Sequence, residues 1–114
     1  MKRDMNLIRL LLLRAEGEEE VDFASYTEEQ RIYHSALLVE AGLVDGAIRT
    51  DAQGYPNGVA TIRLTWKGHE FLDAARNDSV WQKATGAVRS KGLSLTFDVL
   101  KELLTATIRG QVGL

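Results

Sequence analysis

Cysteine is absent from all 114 residues. Disulfides, thiolate nucleophiles and zinc–cysteine sites are therefore excluded, and a reducing, cytoplasmic setting is the expectation. Histidine occurs twice, at His34 and His69, with no metal-ligand spacing of the H-E-x-x-H kind. Gly-rich phosphate loops are missing. Ser35 beside His34 is no nucleophile pair, because adjacent residues of a helix point in different directions. No window approaches the roughly 18 apolar residues that a membrane helix needs. The apolar run Leu7–Leu13 is broken by Arg9 and leads to no small-residue cleavage motif, so no targeting segment is expected. Nor is there a repeat or a low-complexity linker. These absences argue against an enzyme, and imply no cofactor, no metal, no membrane partner and no small-molecule substrate.

What is present suits one folded domain. Hydrophobic residues make up 45% of the chain and charged residues 26%, enough for a core without metal or disulfide staples. The net charge of −2 gives no bulk attraction to nucleic acid. Its distribution is uneven: residues 1–57 carry 6 basic and 11 acidic side chains, residues 58–114 carry 8 and 5. A polyanion would prefer the second half.

Taken in order, Asp4 is placed to cap a helix over Met5–Ala15, with Ile8, Leu11, Leu12 and Ala15 as its buried stripe and Gly17 as its stop. Val21 and Phe23 alternate with Asp22 as in a short edge strand. Thr27 and Gln30 form a capping box for a helix running to Ala41, where Gly42 stops it. Val44–Arg49 and Ala60–Trp66 alternate as the strands of a hairpin. The turn-rich tip between them, Asp51–Gly58, holds the only proline. Arg49 and Arg63 share its polar face. Thr65 then caps a helix, Trp66–Arg76, with Gly68, Phe71, Leu72 and Ala75 inward. Asn77, Asp78 and Ser79 cap another, Val80–Ser90, in which Gly86 marks a kink or a close approach. Ser94 caps a last helix, Leu95–Arg109, stopped by Gly110. Trp66 and Trp81 are expected as core anchors, and His34 and His69 as hydrogen-bonded interior or interfacial residues. The class is mainly α with a small β-hairpin (α+β).

Within that order, His34–Val44 (HSALLVEAGLV) resembles the end of the recognition helix in ArsR- and MarR-type repressors. Leu64-Thr-Trp-Lys-Gly68 resembles the segment that opens the helix after their wing. Nearly the whole chain, and most specifically Leu64–Asp73 (LTWKGHEFLD), is similar to a small winged-helix family of bacteria and their phages, unknown-function family 2513. The resemblance implies a winged helix-turn-helix over residues 1–78 and a helical extension over residues 79–114 of the same domain, as a dimerisation element. It implies a phage or mobile-element context and supplies no active site. Ser35 departs from the repressor pattern, which has a leucine there, and that predicts a looser core or a rotated helix.

Two surfaces compete. As a regulator-type protein, the chain would contact DNA through Gln30, Tyr33, Arg49, Arg63 and Lys67. The bland alternative for the arginines is pairing with Asp45, Asp51 or solvent. As an adaptor or inhibitor of host machinery, the chain would bind protein through Tyr33, Ala36 and Leu37, with a carboxylate rim of Glu29 and Glu40. A homodimer is expected from the strongly apolar terminal helices, with Leu95, Val99 and Leu103 in its interface.

Overall fold

The computed structural model describes residues 1–92 and 96–111. Among them are five helices and a two-stranded antiparallel hairpin. The chain forms two compact units, Met1–Glu70 and Phe71–Leu114, divided within the third helix. The predicted cap Ser94 and the predicted helix start Leu95 lie outside the described residues.

In the first unit, α1 (Met5–Glu16) begins at Asp4, whose carboxylate accepts the Asn6 and Leu7 N–H groups. It ends at Gly17, whose φ of 116° lets the Gly17 and Glu18 N–H groups reach the Arg14 and Leu13 carbonyls. Met5, Leu7, Ile8 and Leu12 are buried, so the inward stripe sits nearer the helix start than Leu11 and Ala15 suggested. α2 (Glu28–Glu40) has the complete Thr27–Gln30 capping box. It closes at Gly42, also left-handed, with Gly42 N–H on Val39 and Leu43 N–H on Leu38. No strand forms at residues 21–23. There the chain turns, Tyr26 N–H bonding to the Phe23 carbonyl, and the Arg31 guanidinium covers the Phe23 ring at 5.7 Å. The link between α1 and α2 spans residues 17–27, much longer than the three- to four-residue turn of a helix-turn-helix.

β1 (Val44–Thr50) pairs with β2 (Pro56–Leu64). Asp45 faces Arg63, but Gly46 faces Thr61. Ile62 is thus the extra residue of a β-bulge, and the strict alternation expected through Ala60, Ile62 and Leu64 breaks there. Beyond the bulge Val59 and Thr61 share a face with Gly46 and Ile48. Gly46 backs onto α2 so closely that a Cβ would meet Val39 at 3.1 Å and the Ala60 carbonyl at 2.6 Å. Asp45, Arg49 and Arg63 take the solvent face.

α3 (Trp66–Ala75) starts at Thr65. The Thr65 hydroxyl accepts the Gly68 N–H at 3.1 Å and donates to the Gly42 carbonyl at 2.6 Å. Gly68, Phe71, Leu72 and Ala75 are buried, as their spacing predicted. Trp66 is not: it stands 80% exposed. Relative to the Gly68/Leu72/Ala75 stripe it lies on the opposite side of the helix.

In the second unit, α4 (Asp78–Ser90) is capped by Asn77, which accepts the Val80 N–H at 3.0 Å. α5 (Phe97–Gln111) opens at Thr96, whose hydroxyl accepts the Val99 N–H at 3.3 Å. Gly110 lies inside α5 and does not end it. Phe71 stacks on Phe97 at 4.8 Å and meets Trp81 edge-on at 6.5 Å. Leu100 and Leu104 from α5 and Val80, Ala84 and Val88 from α4 complete this core. Gly86 has open space around it, so it marks no close approach.

Candidate functional site

Secondary structure sorts the candidate residues of the first unit onto two surfaces. The side of α2 carrying His34, Ser35, Leu38 and Val39 faces α1 and the hairpin. Ser35 and Leu38 line a cleft of about 330 Å³ with Leu11, Arg14, Ala15 and Thr61. A second cleft of about 300 Å³ also reaches Ser35. Glu29, Gln30, Tyr33, Leu37 and Glu40 remain on the outer arc of α2. Tyr33 and Leu37 are half-buried there, while Glu29 and Glu40 are exposed; Ala36, expected on this face, is buried in the core instead.

His34 is buried, as expected of an interior histidine. Its Nε2 accepts the Asp4 backbone N–H at 2.8 Å, and its Nδ1 lies 2.8 Å from the Gln30 carbonyl. The ring therefore carries its proton on Nδ1 and clamps the start of α1 to the first turn of α2. Tyr26 joins the same cluster: burial, and then the charge of and hydrogen bond to Asp4, raise its phenol above the usual tyrosine range. His69 differs from the expectation. It is exposed on α3, with Nδ1 3.7 Å from a Glu16 carboxylate oxygen.

Three of the five DNA candidates already have structural work. Gln30 closes the capping box, its Oε1 accepting the Thr27 N–H at 2.8 Å. Lys67 donates to the Ala41 carbonyl at 3.3 Å, at the negative end of α2. Arg63 is paired with Asp45 at 2.6 Å across the hairpin. Arg49 lies over Gly58, where a Cβ would meet its guanidinium at 2.6 Å, and reaches Asn57 at 3.4 Å. Asp51 serves neither arginine in this arrangement. Its carboxylate accepts the Gln53 and Tyr55 N–H groups and shapes the hairpin tip.

The hairpin also exposes apolar side chains, and of these Ile62 was expected on its apolar face. Ile62 is 75% exposed in the bulge, and Tyr55 stands exposed at the tip. Tyr55 at the tip and Trp66 past the base stand at opposite ends of the hairpin, with Ile62 and Arg63 near Trp66 in sequence. The Trp66 indole N–H donates to the Glu70 carboxylate one turn on, which fixes the ring against the flank of α3. The helical wheel carried the signal for Trp66, since its position opposes the Gly68 stripe. The bulge that releases Ile62 has no signature in the residue pattern.

Of the interface candidates in the second unit, Val99 and Leu103 are half-exposed on α5, and Leu95 lies outside the described residues. Among the described residues no group of three or more His, Asp or Glu is arranged to hold a metal ion. No helix among them is long and apolar enough to cross a membrane.

These features define a mainly helical α+β chain organised around one antiparallel hairpin. The chain belongs to the family described as hypothetical protein DUF2513, whose pattern matches residues 2–94. It is 36% identical over 115 residues to an uncharacterized protein of Haemophilus influenzae, covering 95% of this chain and 96% of that one. No solved structure matches it.

Proposed function

We propose that the first unit is a non-enzymatic protein-binding module of winged-helix type, an adaptor or inhibitor, whose contact surface is the solvent side of the hairpin and the start of α3. The observation that carries this reading is the exposure of Trp66, 80%, with its ring held in place. Covering an exposed tryptophan removes roughly 150–250 Å² from water. At about 25 cal/mol/Å² that is worth about 4 kcal/mol. A ring already fixed loses little rotamer freedom on binding. Trp and Arg are among the residue types that dominate protein–protein contacts, and Trp66 and Arg63 stand three residues apart at the hairpin's base. Tyr33 and Leu37, half-buried, contribute less, so the centre of the surface moves from α2 to the hairpin.

DNA contact by a regulator-type protein is the second reading, favoured by Arg49 and Arg63 lying together on the hairpin's solvent face. It is weaker on counterion release. Arg63 is committed to Asp45, and the outer arc of α2 presents Glu29 and Glu40 to any phosphate. Affinity capture from bacterial host extract, comparing wild type with Trp66→Ala and with Arg49→Ala/Arg63→Ala, tests the first reading. Specific partners should be lost on Trp66→Ala. Fluorescence anisotropy with a labelled duplex from the gene's own upstream region tests the second. Tight binding that survives Trp66→Ala and is abolished in the double arginine variant would replace the first reading with the second.

A further inference from the structure

We infer that the second unit pairs with a second copy of this chain through α5, laid antiparallel to its counterpart about a two-fold axis near Leu103. α5 buries one side, Leu100 and Leu104, against its own unit. The adjoining flank borders an open groove of about 1160 Å³ shared with the end of α4. Val99, Leu103 and Ala106 run along this side at helical spacing, with Ala87 of α4 across from them. These four side chains give the groove an apolar strip among five charged residues.

Charge selects the occupant. The groove is lined by both signs, with Asp98, Lys101 and Glu102 toward the start of α5, Arg109 toward its end, and Lys91 just after α4. A second α5 running antiparallel brings Asp98 of each copy opposite Arg109 of the other. Those two residues lie about three turns apart on the same flank of the helix, and in antiparallel helices like flanks meet. Val99 then covers Ala106 of the second copy, and Leu103 meets its own equivalent near the axis. A parallel pair would instead leave Asp98 and Arg109 of the two copies about three turns apart along the axis. The symmetric, antiparallel arrangement also closes on itself, so it stops at a dimer.

The full-length chain is tested by sedimentation equilibrium. Wild type should show a concentration-dependent mass rising to twice 12.7 kDa. Asp98→Arg should weaken the dimer by about tenfold or more, since two exposed ion pairs become repulsive. Asp98→Arg combined with Arg109→Asp should restore it, a rescue that misfolding cannot produce. Because the chain has no cysteine, Leu103→Cys should give a homodimeric disulfide on oxidation, while Asp98→Cys should not. A wild-type chain that stays monomeric at every concentration overturns the proposal. So does a double charge swap that stays as weak as Asp98→Arg.

Discussion

Gly68→Ala and Gly86→Ala are the same chemical change in two helices, and the structure gives them opposite signs. An ideal Cβ on Gly68 would sit 2.0 Å from the Leu43 carbonyl oxygen. That oxygen cannot retreat freely. Leu43 is buried, its carbonyl accepts the Thr65 N–H at 3.0 Å, and its own N–H is bonded to Leu38. Alanine gains about 1 kcal/mol in helix propensity. Overpacking costs about 1–3 kcal/mol, occasionally more, and backbone contact at this distance belongs at the top of that range. The net expectation is a loss of about 2 kcal/mol. At Gly86 nothing lies within 4 Å, so only the propensity gain of about 1 kcal/mol remains. Urea unfolding followed by circular dichroism reads both values. In melting temperature they amount to a fall of about 10 °C and a rise of about 5 °C. Gly68→Ala at or above wild-type stability would refute the close approach that joins α3 to the end of α2.

Three further substitutions probe the first unit. His34→Ala should cost about 2–4 kcal/mol in urea unfolding, because it empties a buried ring's space and leaves the Asp4 N–H and the Gln30 carbonyl without that partner. Ser35→Leu should gain about 1 kcal/mol by filling the cleft beside Leu11 and Leu38, and a loss larger than that would mean the cleft is too rigid to accept it. Tyr26 should titrate above the ordinary tyrosine range in a difference-absorbance titration. A phenol whose folded value is raised adds stability below its unfolded value, near 10, and loses it as pH climbs through the folded value. Tyr26→Phe should therefore flatten the fall in stability at high pH, and an unchanged profile would count against the Asp4 contact.

Much of this fold is legible because its signals are local. Gly17 and Gly42 end helices since only glycine enters the left-handed region without strain. Thr27 with Gln30, and Asn77, satisfy the first N–H groups of their own helices, and need nothing distant to do so. The inward stripe of α3 follows from period alone. What stayed hidden depends on partners far along the chain. The bulge at Ile62 is a mismatch between two strands, and it reverses which residues of β2 face solvent. The roles of Gln30, Arg63 and Lys67 were set by a cap, a cross-strand carboxylate and the end of α2. A list of exposed-type residues shows none of those. Phe23 reads as a strand residue, yet its ring serves Arg31 instead. Trp66 was missed for a different reason: its size argued for burial, while its phase on the helix already argued against it.

The bareness of Trp66 underlies the proposed contact surface, and the chain's two tryptophans allow it to be measured alone. Trp81→Phe leaves Trp66 as the sole indole, and Trp66→Phe leaves Trp81, which is 2% exposed. Iodide quenching of the two single-tryptophan proteins should find Trp66 quenched almost as readily as free tryptophan and Trp81 shielded. Equal shielding of both would contradict the account, because no open aromatic face would then remain beside the hairpin.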